Sequence, residues 1–359
     1  MHLEPSKSTP SGKKSELALL ALIREQAARH STRGNPPQAL RLGIGDDCAL
    51  LRLRPGEELA LTTDLSIAGR HFALDCHPPE SIGHRSLARG LSDLAAMGAR
   101  PVAAFLSLGL PPQLTGNWLN RFLDGFFALA EAYQTPLAGG DLAESPVFVA
   151  DIVLAGAVRR GKALLRSSAQ PGDLLYLTGN LGGAAAGLAQ LKQLAAQPAK
   201  PWAARRIQSQ PAALRPPRVP ARLAPALAPH LYPQPRIAQG LWLARYAISG
   251  TGASAVIDLS DGLSTDLAHL CQASGVAAEI DLAALPIAPA ATLAQALHGG
   301  EDYELLFAAP PSARILRRIA GIGVTRIGRI LRAEGVAQIR LVTTQGSQIL
   351  KPGGWEHFS

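Results

Sequence analysis

The stretch Ile257-Asp-Leu-Ser-Asp-Gly-Leu263 ends a short apolar run beginning at Ala255 and opens, at Leu263, a helix-like pattern that reaches Ala273. A strand running into a helix through a tight, polar junction is the unit of α/β and α+β architectures. The junction residues also carry chemistry. Gly and Ser let the backbone approach a ligand closely, and carboxylate and hydroxyl oxygens are the hard donors that Mg²⁺ prefers. Similar junctions recur at Gly43-Ile-Gly-Asp-Asp47, Thr62-Thr-Asp64, Leu91-Ser-Asp93, Gly139-Gly-Asp141 and Gly299-Gly-Glu-Asp302. One Gly-Asp pair is a turn signal first. Six such junctions in one chain predict a divalent-metal site that handles phosphates.

Outward from these junctions, the pattern predicts strands over Ala49 to Leu53, Glu58 to Thr63, Val102 to Leu108 and Val147 to Arg159. Helices are expected from about Pro79 to Met97 and from about Leu114 to Tyr133. A second unit opens at Gly172 with a strand from Asp173 to Thr178 and an Ala-rich helix from about Gly182 to Ala195. It resumes with strands at Ala255 to Leu259, Ala278 to Leu282, around Glu304 to Ala308 and around Val324 to Ile330. Ten of the 38 residues from Pro198 to Pro235 are proline, so neither a helix interior nor a sheet is expected there. The expected organisation is a flexible tail at 1–14, an N-terminal domain at 15–165 and a C-terminal domain at 166–359. A solvated Pro/Ala/Arg-rich insertion at about 196–229 interrupts the latter. Residues near the start form an amphipathic helix capped by Ser15 rather than a signal peptide, because Arg24 and Glu25 cut the apolar run short.

The 359 residues carry 35 Lys and Arg against 27 Asp and Glu, a formal charge of +8. Its location matters. Between Leu174 and Ile257 there is no acidic residue, and the nine basic ones there account for the excess. The rest of the chain is close to neutral. A basic arm that binds nucleic acid is therefore an alternative function, confined to the insertion. No run approaches the ~18 apolar residues of a membrane span, so no membrane partner is expected. Cys48, Cys76 and Cys271 are an odd set at no metal-binding spacing, which suits a reducing cytoplasm.

Other site chemistries lack their residues. There is no His-Glu-x-x-His or Cys-x-x-Cys for zinc and no Gly-x-Ser-x-Gly for a hydrolase elbow. Gly156-Ala-Val-Arg-Arg-Gly161-Lys162 has the glycine and lysine spacing of a P-loop but continues with Ala163 where a hydroxyl should bind magnesium. It reads as a strand followed by a turn.

Taken in order, eight blocks resemble the thiamine-monophosphate kinase family: Gly-Ile-Gly-Asp-Asp-Cys-Ala-Leu (43 to 50), Thr-Thr-Asp (62 to 64), Gly-Arg-His-Phe (69 to 72), Leu-Ser-Asp-Leu-Ala-Ala-Met-Gly-Ala (91 to 99), Gly-Gly-Asp (139 to 141), Leu-Arg-Ser (165 to 167), Ile-Asp-Leu-Ser-Asp-Gly-Leu (257 to 263) and Gly-Gly-Glu-Asp-Tyr-Glu-Leu (299 to 305). The resemblance is collinear from about Ser15 to Phe358, the insertion apart. Some blocks are shared with the wider superfamily of aminoimidazole ribonucleotide synthetase, so another ATP-dependent phosphoryl transferase is the alternative within the fold.

The resemblance implies a cytoplasmic enzyme, a homodimer, that transfers the γ-phosphoryl group of ATP to thiamine monophosphate. This is the last step in making thiamine diphosphate. It implies an aminoimidazole ribonucleotide synthetase-like fold, with N-terminal strands that join a second subunit in a β-barrel and a C-terminal α+β domain. By position in the motifs, Asp47, Thr62, Thr63, Asp64, Asp93, Asp141, Asp258 and Asp261 are expected as ligands of several Mg²⁺ ions, with Asp46 a further ligand or a neighbour. Gly140, Asp141, Arg166 and Ser260 are expected at ATP, and His71, Glu301 and Trp355 at the thiamine substrate. Asp47, Asp93, Asp141 and Arg166 are the expected catalytic set. Leu142 stands where the family usually has Thr.

Overall fold

A computed structural model describes residues 15–31, 39–196, 221–247, 252–335 and 338–356. Tail residues 1–14 and most of the insertion lie outside the described residues. The chain begins in helix α1 (Glu16–Ser31), where the Ser15 hydroxyl accepts the Ala18 N–H at 3.3 Å, as expected of a cap. Short strands β1 (Leu40–Leu42) and β2 (Leu50–Leu51) flank the Gly43 to Ala49 loop. The first large sheet contains β3 (Glu57–Ile67), β4 (Arg100–Leu110), β5 (Leu137–Gly139), β6 (Leu142–Glu144) and β7 (Val149–Arg159). Its order is β3-β7-β4-β5, with β6 also on β4.

Helices α2 (Pro79–Ala96) and α3 (Asn117–Ala132) cover one face of that sheet. Trp118, Phe122, Phe126 and Phe148 fill the space between. The two helix backbones touch. A methyl group built on Gly83 would stand 1.9 Å from the Phe122 carbonyl oxygen, and one on Gly125 would stand 1.8 Å from that of Glu80. The other face of the sheet is less covered. Alternation along β3 sends Thr62 and Asp64 inward and leaves Leu59, Leu61 and Leu65 exposed on the outer side.

The second sheet has the order β15-β14-β10-β13-β8-β11-β9, with β12 (Arg318–Ile319) paired to β13. Its strands are β8 (Leu174–Thr178), β9 (Ala255–Asp258), β10 (Val276–Asp281), β11 (Leu305–Ala309), β13 (Ile322–Arg332), β14 (Ile339–Thr343) and β15 (Gly346–Leu350). Helices α4 (Gly183–Ala195), α7 (Leu263–Ser274) and α8 (Leu293–His298) accompany it. Ile257, Leu306 and Ala308 face a core of their own, while Val256, Leu305 and Phe307 face the core of the first sheet. One strand pair therefore joins the two units.

The insertion departs from expectation. Residues 224 to 231, predicted to be solvated and without helix, form α5 (Ala224–Leu231), with Leu227, His230 and Leu231 buried. Pro225 sits in the first turn, where a missing N–H costs nothing, and Pro229 removes one later bond that the buried face offsets. Helix α6 (Ile237–Ala247), where no element was expected, crosses α2 so closely that a methyl group on Gly240 would be 2.0 Å from the Ala95 carbonyl oxygen. Residues 156 to 162 are the end of β7 and a turn, as expected. Among the described residues, no helix is long and apolar enough to cross a membrane.

Gly83→Ala and Gly125→Ala are each expected to cost about 1–3 kcal/mol, the usual price of forcing atoms into a packed contact. Urea denaturation would measure this against Gly323→Ala, where an added methyl meets nothing within 4 Å.

Candidate active site

Helix α2 carries Arg85, Arg89 and Asp93 at four-residue intervals, the spacing that lines side chains along one face. That face looks across to the inner side of β3 and the end of β9. The Thr62 hydroxyl donates to Asp93, Arg89 pairs with Asp64 at 3.2 Å, and the Ser92 hydroxyl donates to Asp258 at 2.7 Å. Asp64, Asp93 and Asp258 thus line one cleft of about 240 Å³, together with Asp261, Ser260, His71, Glu301 and Trp355. Eight of the residues expected at the site meet there.

The acids at this end are short of positive charge. Burial, then the charges of Asp258 and Asp64, push the Asp93 carboxyl up to about 7 against the pull of Thr62 and Arg89. Asp258 rises to about 6, mainly through burial, with the Ser92 hydrogen bond opposing and the Asp64 charge adding. Burial also raises Asp64 despite its pairing with Arg89. Asp266 is raised to about 8, by burial and then by Asp258 and Asp261. It accepts the N–H groups of Asp261 and Gly262, each at 3.0 Å, and so fixes the turn that presents Asp261.

The opposite end is built from the 299–305 loop and the C-terminal segment. Glu301 and Tyr303 have positive φ, 67° and 50°, which ordinary side chains rarely adopt. Backbone bonds from Glu301 N–H to the Ser260 carbonyl (2.8 Å) and from Tyr303 N–H to that of Leu259 (2.9 Å) hold them. The alternate residues turn away. Asp302 accepts the Gly182 and Ala184 N–H groups at the start of α4, at 2.6 and 3.0 Å, and Glu304 pairs with Arg236 of α6. Asp302 is therefore a helix cap and not part of a metal site. The His71 Nδ1 accepts the Ile67 N–H at 3.0 Å, so the neutral ring carries its proton on Nε2. Trp355 is 50% exposed in the cleft, and its backbone N–H donates to the Asp261 carbonyl at 3.1 Å.

Other expected residues lie elsewhere in the chain. Asp46, Asp47, Gly140 and Asp141 line a second cleft of about 400 Å³ beside α1 and β4. Gly140 has φ of 153°, and a methyl group there would stand 1.9 Å from the Leu106 carbonyl oxygen, so its first duty is to let the chain pass β4. Thr63 follows Thr62 on a strand, so its side chain points to the outer face, away from Asp64's. Arg166 is exposed and lowers the Asp258 carboxyl only by its charge. Arg70, Arg85, Arg89 and Tyr303 belong to the cleft or its wall although no role was expected of them: Arg70 and Tyr303 lie inside matched blocks, Arg85 and Arg89 in none. The helical spacing of Arg85, Arg89 and Asp93 could have exposed the two arginines.

Residues 45–158 match the family model described as AIR synthase related protein, N-terminal domain, and residues 170–339 the corresponding C-terminal domain. The chain is 39% identical to the thiamine-monophosphate kinase of Escherichia coli (strain K12), over 89% of this chain and 93% of that one. Among solved structures it is similar to the thiamine-monophosphate kinase of Stenotrophomonas maltophilia K279a, with 36% identity, a TM-score of 0.70 and coverage of 90% of this chain and 96% of that one. It is also similar to AaThiL complexed with AMPPCP and TMP, with 29% identity, a TM-score of 0.68 and coverage of 96% and 97%. Two matched domains, the shared fold and this identity over nine-tenths of the sequence lead to one conclusion: the chain belongs to the thiamine-monophosphate kinase family of AIR synthase related proteins.

Proposed function

We propose that the protein phosphorylates thiamine monophosphate to thiamine diphosphate with ATP. The observation that carries this reading is a single cleft with clustered carboxylates at one end and Glu301, His71 and Trp355 at the other. A relative with an ATP analogue and TMP bound supports it. An oxygen of the acceptor phosphate forms the new bond to the γ-phosphorus, and the bond from γ-phosphorus to the bridging oxygen breaks as ADP leaves with the electron pair. A phosphomonoester, with a second pKa of about 6, is largely dianionic near neutrality. The attacking oxygen then needs no general base.

The donor set suits Mg²⁺: carboxylates and hydroxyls at one place, raised carboxyl pKa values, and Arg89 ion-paired with Asp64 while its charge only partly opposes the rise of Asp93. Thr62, Asp64, Asp93, Asp258 and Asp261 would hold the ions in this cleft. Bound there, Mg²⁺ would offset the repulsion between two anionic reactants and orient them in line. The hydroxyl of Ser92 steadies Asp258, and that of Thr62 steadies Asp93. At the far end, the Trp355 indole would stack on the thiamine rings and attract the thiazolium charge. Glu301 would accept from the aminopyrimidine, and the His71 Nε2–H would donate. Ser260, Gly140 and Arg166 are proposed at ATP, and Asp141 and Asp47 as further metal ligands.

A second copy of the chain is proposed to cover the outer face of the first sheet, where Leu61 is 62% exposed and Leu59 and Leu65 flank it. The chain is further proposed to divide near Leu165 into an N-terminal ATP and metal domain and a C-terminal domain. The thiols of Cys48, Cys76 and Cys271 are free, consistent with action in the cytoplasm.

ADP release should be stimulated by thiamine monophosphate and not by free thiamine or aminoimidazole precursors. No stimulation by the first would remove the assignment.

Asp93→Asn should lower turnover about 10²–10³-fold, comparable to losing one transition-state stabiliser. Because the folded Asp93 carboxyl titrates near 7, above its unfolded value of about 3.9, its contribution to stability is present at low pH and lost as pH rises through about 7. In EDTA, the melting temperature should therefore fall between about pH 4 and pH 7 and recover on adding Mg²⁺. Asp93→Asn should flatten the fall and weaken the recovery.

Leu61→Asp with Leu65→Asp should sediment at half the wild-type mass. A variant still dimeric would show that this face is not the contact.

A further inference from the structure

We propose that Arg85 is the positioning residue for the substrate end of the cleft, held there by the buried pair His230 and His77, so that helix α5 of the insertion is part of the site's support. This rests on the reading that Glu301 and His71 contact thiamine monophosphate. The Arg85 side chain is 7% exposed, and its guanidinium reaches both of those residues. One terminal nitrogen donates to the Glu301 carboxylate at 2.5 Å and to the His71 carbonyl oxygen at 3.4 Å. The other donates to the His230 carbonyl oxygen and to His230 Nδ1 at 3.2 Å.

The hydrogen bonds beyond Arg85 can run in only one direction. Arginine has donors and no acceptor, so the His230 Nδ1 must offer a lone pair, and the proton of the neutral ring lies on Nε2. That Nε2–H faces the His77 Nε2 at 2.9 Å, which must accept. His77 therefore keeps its proton on Nδ1, directed to the Ala73 carbonyl oxygen at 3.1 Å; the Ala73 N–H, 3.2 Å from the same nitrogen, could be accepted only by the other tautomer, which the His230 Nε2–H excludes. Both rings are buried, and burial with the Arg85 charge keeps both neutral. A neutral relay suits the place, since an imidazolium beside the guanidinium would repel it. His230 Nδ1 is 3.6 Å from the other Glu301 oxygen, too far to replace Arg85 as its donor.

Glu301 needs such an anchor. Its φ of 67° persists only where surrounding contacts over-determine it. Arg85 supplies the side-chain contact, and its charge is the largest influence opposing burial, so the carboxylate stays ionised. Arg85 sits one turn before Arg89 on α2 and reaches away from the carboxylate end. The relay therefore governs the fit of the organic substrate more than the chemistry at the phosphates.

Kinetics of His230→Phe, His230→Asn and Arg85→Lys test this. His230→Phe and Arg85→Lys should each raise the KM for thiamine monophosphate about tenfold or more while the KM for ATP stays within about twofold. His230→Asn, which keeps an acceptor facing Arg85, should restore part of the loss. Calorimetric binding of thiamine monophosphate without ATP should weaken in parallel. Long-range ¹H–¹⁵N spectra of the wild-type protein should show His230 as the Nε2–H tautomer and His77 as the Nδ1–H tautomer. Unchanged KM in both disruptive variants, an equal loss toward both substrates tracking a lower melting temperature, or the reverse tautomers would overturn the proposal. If His230→Phe does not fold, Arg85→Lys and the spectra decide. Wild-type protein that fails to phosphorylate thiamine monophosphate removes the function reading, a result distinct from variants that match an active wild type.

Discussion

Mutual repulsion among buried carboxylates is the constraint that shapes this molecule. Asp64, Asp93 and Asp258 come from a strand, a helix and a second strand, each from a different part of the chain. Keeping them ionised together costs free energy on the order of a few kcal/mol, burial first and their mutual repulsion adding to it, as the rise of Asp93 to about 7 indicates. Something else must hold them. Helix α2 lies within the core, and its glycine contacts with α3 and its crossing by α6 leave it little room to move. Packing thus keeps the acids in a place that their charges oppose, and the site is left with an appetite for cations.

Much of this was legible in the sequence because small-residue junctions mark where strands end. Asp258 and Ser260 stand at such a junction, and Asp93 and Asp64 were read with them. Three things were hidden. Thr62 and Thr63 are adjacent in the sequence, yet strand geometry sends their side chains to opposite faces. Asp302 sits beside Glu301 in a motif, yet it caps α4, because the left-handed residues on either side aim alternate side chains apart. Prolines suggested a solvated insertion, whereas the spacing of Leu227, His230 and Leu231 gives α5 a buried face. A count of prolines misses where they fall within a helical turn.

The second cleft shows a different limit. Asp47 and Asp141 lie beside β4 and β5, with β7 between that edge of the sheet and β3, which bears Asp64. Motif order along a chain carries no information about which side of a sheet each motif reaches. Asp47 lies on the short loop between β1 and β2, and Asp141 follows the tight passage at Gly140. Both are therefore set by local backbone geometry, in contrast to the three acids that two cores hold together.

The two ends of the main cleft are made rigid by different means, and the difference follows from what each must bind. Acids meant for hard cations cannot be neutralised internally without losing their purpose, so apolar packing fixes them and Arg89 offsets only part of their charge. The substrate end has no such restriction. Its loop has little regular structure, and polar anchors fix it: Glu301 to Arg85, Asp302 to the start of α4, Glu304 to Arg236 and Thr178. Four consecutive residues, Glu301 to Glu304, thereby tie α2, α4, α6 and the cleft to one another. Tyr303 is buried among them. A change in any one anchor is transmitted to Glu301 through a backbone already held in a conformation that it would not adopt alone.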